Sequence, residues 1–424
     1  MEIKNEMPRI FQSFGSGKFY IKSKMWYSKF RLILYPQTIR LFANFELDYL
    51  DYNVENWTIR GELEDGRKIY CNSLSLINAT KYCLEFMPLK KFFIGKCEEK
   101  PIRRAEFPLI GFYGAEFEVI IDNWKIKFEG KKEDLKNQKR LSKIWKIQLE
   151  GLTMQMQKEN EQQFSYTQTA IQIIDLLSLA TGNAVIFNKQ RFYYDDDRQF
   201  DIWRPRLGNN FGVYECVPEY AIRQFIRQTY PTWKNLDNDD TKLINNAVNY
   251  INSTAFGYLE DRVFRITQAW ESVANKWVGD INNLSDEIKD LKNRLKNSLR
   301  DWRKEFPNYD KDGFYGNRVI NALTWNKAID KTNLLASKFR LDLEKLKIDF
   351  QRLFELRNAV AHNGKFKKKE NPSELSEILE NARFGLQVLF LKKLKYSDLV
   401  ISPRSGYTIK IDEFLTNVKK ETSS

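Results

Sequence analysis

The hydrophobic period of this chain changes along its length, from mostly strand-like at the start to helical in the last half, and that change constrains the fold more than any other feature. Trp124, Ile126 and Phe128 alternate with Lys125, Lys127 and Glu129, the period of two that a half-buried strand requires. Far downstream, Val263, Ile266, Trp270, Val273 and Trp277 recur at steps of three and four, which places all five on one helical stripe. Two periods in separate blocks predict an α+β chain, with a β-rich N-terminal domain followed by an all-α bundle.

Within the first block, strand-like runs occur at 19–21, 30–35, 38–45, 57–63, 68–71 and 117–121, punctuated by Gly61 and Gly66. Asp122-Asn123 suits a two-residue hairpin turn. No crossover of helical length separates these runs, so the sheet is expected to be antiparallel. From about 133 to 180 the period moves towards 3.6 and predicts helix, stopped by Thr181-Gly182-Asn183 and followed by a strand pair around Val185 and Phe192. Residues 193–212, rich in Asp, Arg, Gly and Pro, are expected to form an irregular connection.

Beyond residue 217 the pattern is helical. A second stripe runs through Ile288, Leu291, Leu295, Leu299 and Trp302, a third helix spans 343–362, and a fourth spans 373–394 after the start signal Pro372. Four amphipathic helices with short polar connections describe a bundle. The expected allocation is therefore a β-rich sensor or regulatory domain at 1–205, with helices at about 133–180, then a helical connection at 206–254. A helical domain at 255–395 and a tail at 396–424, with a strand-like 407–411, complete it.

Lys plus Arg number 69 against 56 Asp plus Glu, a net charge of +13. Such an excess favours a polyanionic partner, nucleic acid ahead of an acidic membrane. The single histidine excludes His-rich zinc sites, HExxH proteases and any mechanism needing two histidines from one chain. Cys71, Cys83, Cys97 and Cys216 form no CxxC motif and are expected to be reduced thiols in the cytoplasm. The first ten residues are polar, with no apolar signal region, and the apolar stretch 170–187 is too interrupted to span a bilayer. No membrane segment is expected.

The lone histidine lies in Leu356-Arg357-Asn358-Ala359-Val360-Ala361-His362-Asn363-Gly364. Asn363-Gly364 reads as a helix end, and Lys365, Phe366, Lys367, Lys368 and Lys369 follow, cations beside an aromatic as a phosphodiester backbone would want. Imidazole titrates near neutral pH and can move a proton to or from a reacting oxygen. Guanidinium forks onto phosphate oxygens, so Arg357 could hold a scissile phosphate, with Asn358 orienting the ring or the phosphate. RNA brings its own 2′-hydroxyl nucleophile, so neither metal nor cofactor is required. The same residues also suit a plain structural role, a histidine at the helix C-terminus and an arginine in a surface ion pair.

Other motifs carry less. Gly15-Ser16-Gly17-Lys18 lacks the first glycine and the final Ser or Thr of a phosphate-binding loop and is expected to be a hairpin turn. Asp195-Asp196-Asp197 and Asp237, Asp239 and Asp240 are expected to be solvated loop charges rather than metal ligands. The basic helix at 289–303 reads as a solvated bundle face ahead of an RNA track.

Residues 255–395 resemble a HEPN domain, and within that superfamily the Apea-like HEPN proteins. The family hallmark is R-x4-6-H at the end of one helix of a four- or five-helix bundle, usually with a polar residue after the arginine. Arg357, Asn358 and His362 match it with four intervening residues. Ala269-Trp270-Glu271-Ser272 resembles the acidic position of an earlier family helix, which gives Glu271 a supporting role next to Arg357. The β-rich region with Leu176-Leu177-Ser178-Leu179-Ala180-Thr181-Gly182 is similar to the N-terminal domains of Apea-like proteins. The resemblance implies a metal-independent endoribonuclease leaving a 2′,3′-cyclic phosphate and a 5′-hydroxyl. It also implies a homodimer whose two Arg/His pairs meet at the interface, acting on tRNA or other host RNA as a bacterial antiphage or toxin effector. A phage trigger or a neutralising partner would belong to such a system. The alternative is a non-catalytic nucleic-acid- or protein-binding module whose bundle is a dimerisation scaffold.

Overall fold

In the computed structural model, β1 (Phe11–Ile21), β2 (Lys24–Leu34), β3 (Ile39–Ala43), β4 (Trp57–Leu63), β5 (Lys68–Thr80) and β6 (Cys83–Pro88) close into a six-stranded barrel. The structure describes residues 11–22, 24–34, 38–45, 56–80, 83–98, 100–130, 135–136, 150–196, 198–203, 215–253, 258–279, 286–306, 328–366, 370–403 and 405–416. The chain divides into two compact units: Met1–Leu236 with Leu399–Ile401, and Asp237–Asp398 with Ser402–Ser424. This division falls later than the expected boundary at 205, and the helix Asn238–Ser253, expected in a connection, belongs to the second unit.

The barrel forms because its strands alternate. Phe19, Ile59, Ile69 and Phe86 turn inward and are almost completely buried, while their chain neighbours turn out. The first strand pairs with the second and the fourth, and β4 pairs with β5, which closes the ring. Every pairing is antiparallel, as the spacing predicted. Gly15-Ser16-Gly17-Lys18 is not a turn but the middle of β1. Gly15 lies opposite Phe30 and Gly17 opposite Gly61. A Cβ on Gly15 would stand 2.6 Å from the Phe30 ring, and one on Gly17 2.7 Å from the Gly61 backbone. Gly15 and Gly61, whose added Cβ would stand 3.0 Å from the same ring, thus make room for one phenylalanine inside the barrel, and Gly17 makes room for the Gly61 backbone.

The same antiparallel sheet continues from the barrel through the pairing of β5 with β7 (Phe92–Ile94), in the order β7, β13 (Gln199–Trp203), β12 (Lys189–Tyr193), β8 (Ile102–Ile110), β11 (Glu150–Glu161), β10 (Trp124–Glu129) and β9 (Phe117–Ile121). Asp122 and Asn123 both take positive φ between β9 and β10, the conformation a two-residue hairpin needs. Helix α1 (Gln163–Thr181) covers one face. Its Tyr166 hydroxyl lies 3.1 Å from the carbonyls of Ile102 and Arg103, and its ring meets Trp124 edge-on. Gly182, in the left-handed region, ends the helix where the sequence placed the stop.

Two expectations fail in this unit. Residues 150–161, expected to be helical, form β11: Leu152, Met154 and Met156 are buried and alternate with less buried neighbours. This period of two was overridden by the helical pattern that follows it. Gln199–Trp203 lies in the stretch expected to be irregular, yet it pairs with β12 and β7 through buried Phe200 and Ile202. The remainder of 131–149, apart from 135–136, and all of 204–214 lie outside the described residues. Helix α2 (Ile222–Lys234) completes the unit.

The second unit contains α3 (Asn238–Ser253), α4 (Leu259–Val278), α5 (Asp286–Glu305), α6 (Ala328–Lys338), the single turn α7 (Leu343–Leu346), α8 (Phe350–Asn363) and α9 (Pro372–Lys393). The stripe Val263, Ile266, Trp270, Val273 is fully buried. Trp270 Nε1 donates to the Ala382 carbonyl at 2.9 Å, and its ring packs edge-on against Phe350. The third expected helix, 343–362, is broken: Lys347 adopts φ 49° and Asp349 caps a new helix by accepting from the Arg352 amide. On α5, Leu291 and Trp302 are 44% and 39% exposed. The second predicted stripe therefore does not contribute to the described core. No helix among the described residues is long and apolar enough to cross a membrane.

Candidate functional site

Helix α8 carries the Arg357–His362 motif, and its ends are well defined. Asp349 caps the start, and Gly364, at φ 68°, sends its amide back to the Val360 carbonyl at 2.8 Å. Buried Leu353, Phe354, Leu356 and Val360 turn one side into the bundle. The opposite side carries Gln351, Glu355, Asn358 and His362, all exposed. Asn358 and His362 are four apart and so share that face.

Arg357 stands at the edge between these sides. Its Nη2 donates to Glu271 Oε1 on α4 at 2.5 Å, both side chains being 29% exposed. Its guanidinium carbon lies 5.4 Å from the centre of the Phe354 ring. Its Nε is buried without a hydrogen-bond partner among the described residues. The acidic and basic groups of the motif are thus brought together across two helices, and the pair restrains the guanidinium against α4.

His362 is not brought onto Arg357. Five helical residues separate them by about 140° around the axis and about 7.5 Å along it. Among the described residues no hydrogen bond joins Asn358 to either partner. The imidazole instead stands in the last helical turn, open to solvent, with exposed Lys365 just beyond. Lys367, Lys368 and Lys369 lie outside the described residues. Arg352 forms an ion pair with Glu370, which ties the start of α8 to the approach to α9, two residues ahead of its first residue. Neither this pair nor the Phe354 ring was foreseen. Arg352 sits five residues before Arg357, a spacing that could have suggested a second cation on the same helix.

The acidic runs have structural partners. Asp237 Oδ1 accepts from the Asp240 amide at 2.6 Å, Asp239 pairs with Lys276 at 3.1 Å, and Asp196 pairs with Arg198 at 2.7 Å. Asp240 is buried rather than solvated. It accepts from Trp277 Nε1 at 2.7 Å and pairs with Lys393 at 2.9 Å. Burial alone would raise its carboxyl, but these two donors outweigh it and hold the group below its usual value. Among the described residues no group of three or more His, Cys, Asp or Glu is placed to hold a metal ion. Comparison with known proteins returns no matching family model, curated protein or solved structure.

Proposed function

We propose that the helical unit is a HEPN-like, metal-independent endoribonuclease that works as a homodimer in the cytoplasm. The observation that carries this reading is the Glu271–Arg357 pair, a guanidinium restrained from a neighbouring helix five residues before an exposed terminal imidazole. Arg357 binds the scissile phosphate and stabilises the charge that builds on it. The 2′-hydroxyl loses its proton to one His362 as its oxygen attacks phosphorus. The bond from phosphorus to the 5′ oxygen breaks, and that oxygen gains a proton from the His362 of the second copy. The products are a 2′,3′-cyclic phosphate and a 5′-hydroxyl. Two copies are needed because each chain holds one histidine and because Arg357 and His362 of one helix face different ways.

Asn358 shares the face of His362 and orients the substrate there. Lys365, with Lys367, Lys368 and Lys369, contacts the RNA backbone. The substrate class is tRNA or other host RNA, in the manner of an antiphage or toxin effector, and the β-rich unit acts as sensor or regulator. The second reading, a non-catalytic nucleic-acid-binding scaffold, draws on the same angular separation, which leaves no contact between guanidinium and imidazole within one chain.

Incubation of the full chain with total tRNA in EDTA separates the two. The nuclease leaves cyclic-phosphate ends with the wild type and none with His362→Ala, at equal helicity and oligomeric state. Identical RNA profiles for the two proteins would sink it.

A further inference from the structure

The outward face of the barrel carries a row of side chains that neither folding nor the helical site uses. Strand pairing sets Tyr27 opposite Lys18, Lys18 opposite Arg60, Arg60 opposite Tyr70, and Tyr70 opposite Phe93. Phe19, Ile59, Ile69 and Ile94, their neighbours along the chain, turn into the barrel, so the pleat turns this set outward. Lys18, Tyr27 and Arg60 are exposed, Tyr27 by 66%, and Tyr70 and Phe93 are half-buried. The Arg60 guanidinium lies 5.6 Å from the centre of the Tyr70 ring.

A second row again sets a cation between rings. Phe14, 46% exposed, is opposite Arg31, and Arg31 is opposite Phe42 with its guanidinium 4.8 Å from that ring. A groove of about 670 Å³ runs beside it, with Lys29, Arg31 and Phe42 in its walls. Of the acidic groups near this face, Glu62 is engaged by Lys68 and Glu85 by Arg40, while Glu64 lies at the edge of the groove. Lys18, Lys29, Arg31 and Arg60 enter no ion pair among the described residues.

We infer that this face binds single-stranded nucleic acid, with bases stacked on the rings of Tyr27 and Phe14 and phosphates held by Lys18, Arg60 and Arg31. Adjacent strands stand about 4.8 Å apart, so in both rows cations lie between aromatic rings at spacings on the scale of one or two nucleotides. Rings accept any base and cations follow the backbone, the combination that holds single strands without reading sequence. A duplex hides its base faces and could use only the charges. A protein interface is depleted in lysine, whereas here Lys18 stands in the row between Tyr27 and Arg60. The inference concerns other residues than the cleavage reading and holds with or without catalysis.

The test uses the full chain with His362→Ala, so that bound RNA is not cut, and measures anisotropy of labelled oligouridine and of a duplex of equal length. We expect oligouridine to bind more tightly than duplex. Tyr27→Ala should weaken binding by about tenfold and Tyr27→Phe by little, since the ring is what stacks. Lys18→Ala should lower the salt slope by roughly one. Tyr27 is exposed enough for its removal to leave the fold intact, which circular dichroism verifies. Equal affinity for duplex, or unchanged affinity in Tyr27→Ala together with Lys18→Ala, overturns the inference. Intact oligouridine binding without tRNA cleavage by the wild type supports it while sinking the nuclease reading alone.

Discussion

Arg357 Nη2 donates to Glu271 Oε1 at 2.5 Å although 86 residues separate the two along the chain. The pair joins α4 to α8, and Arg357 Nε beside it already lacks a partner among the described residues. Removing the carboxylate leaves a largely covered guanidinium without its acceptor. Glu271→Ala should therefore destabilise the helical unit by about 1–3 kcal/mol, read as a lower urea midpoint. It should also reduce tRNA cleavage through misplacement of Arg357. A variant as stable and as active as the wild type would show that the pair restrains nothing.

Asp240 supplies the pH dependence. Its folded-state carboxyl lies below the usual value of 3.8, so its contribution is present at neutral pH and is lost as pH falls through that lowered range. Asp240→Asn keeps an acceptor near Trp277 but loses the charge facing Lys393. The urea midpoint of the helical unit should drop at pH 7, and the gap between variant and wild type should shrink towards pH 3. A gap that stays constant with pH would refute the assignment.

The barrel predicts a steric penalty at Gly17. A methyl there meets the Gly61 backbone at 2.7 Å and the Arg60 carbonyl at 2.8 Å, and backbone cannot rotate away as a flexible side chain could. Gly17→Ala should cost about 1–3 kcal/mol, the usual cost of overpacking, whereas the next residue, Lys18→Ala, should cost little because it faces out. Equal thermal midpoints for the two variants would contradict the packing described.

Much of the architecture was legible because it follows from period. Strand β4 occupies 57–63, the span read from the sequence, and the stripe from Val263 to Trp277 is core. What escaped depends on partners distant in sequence. The glycines of β1 read as a turn because what explains them, the Phe30 ring at Gly15 and the Gly61 backbone at Gly17, arrives only with the second and fourth strands. Lys347 breaks a continuous helical pattern through its backbone conformation, which its side chain does not advertise. At the site, the pairing of Glu271 with Arg357 could be named in advance. The row of rings and cations on the barrel could not, since its members come from five separate strands.

Residues Leu399–Ile401 rejoin the first unit, where the Ile401 amide donates to the Cys216 carbonyl at 2.8 Å. A fragment cut at the boundary after Leu236 would forfeit that bond and the packing of buried Val400. Dissection of this protein by truncation therefore calls for grafting the distal segment back, or for excising the helical unit as an internal loop.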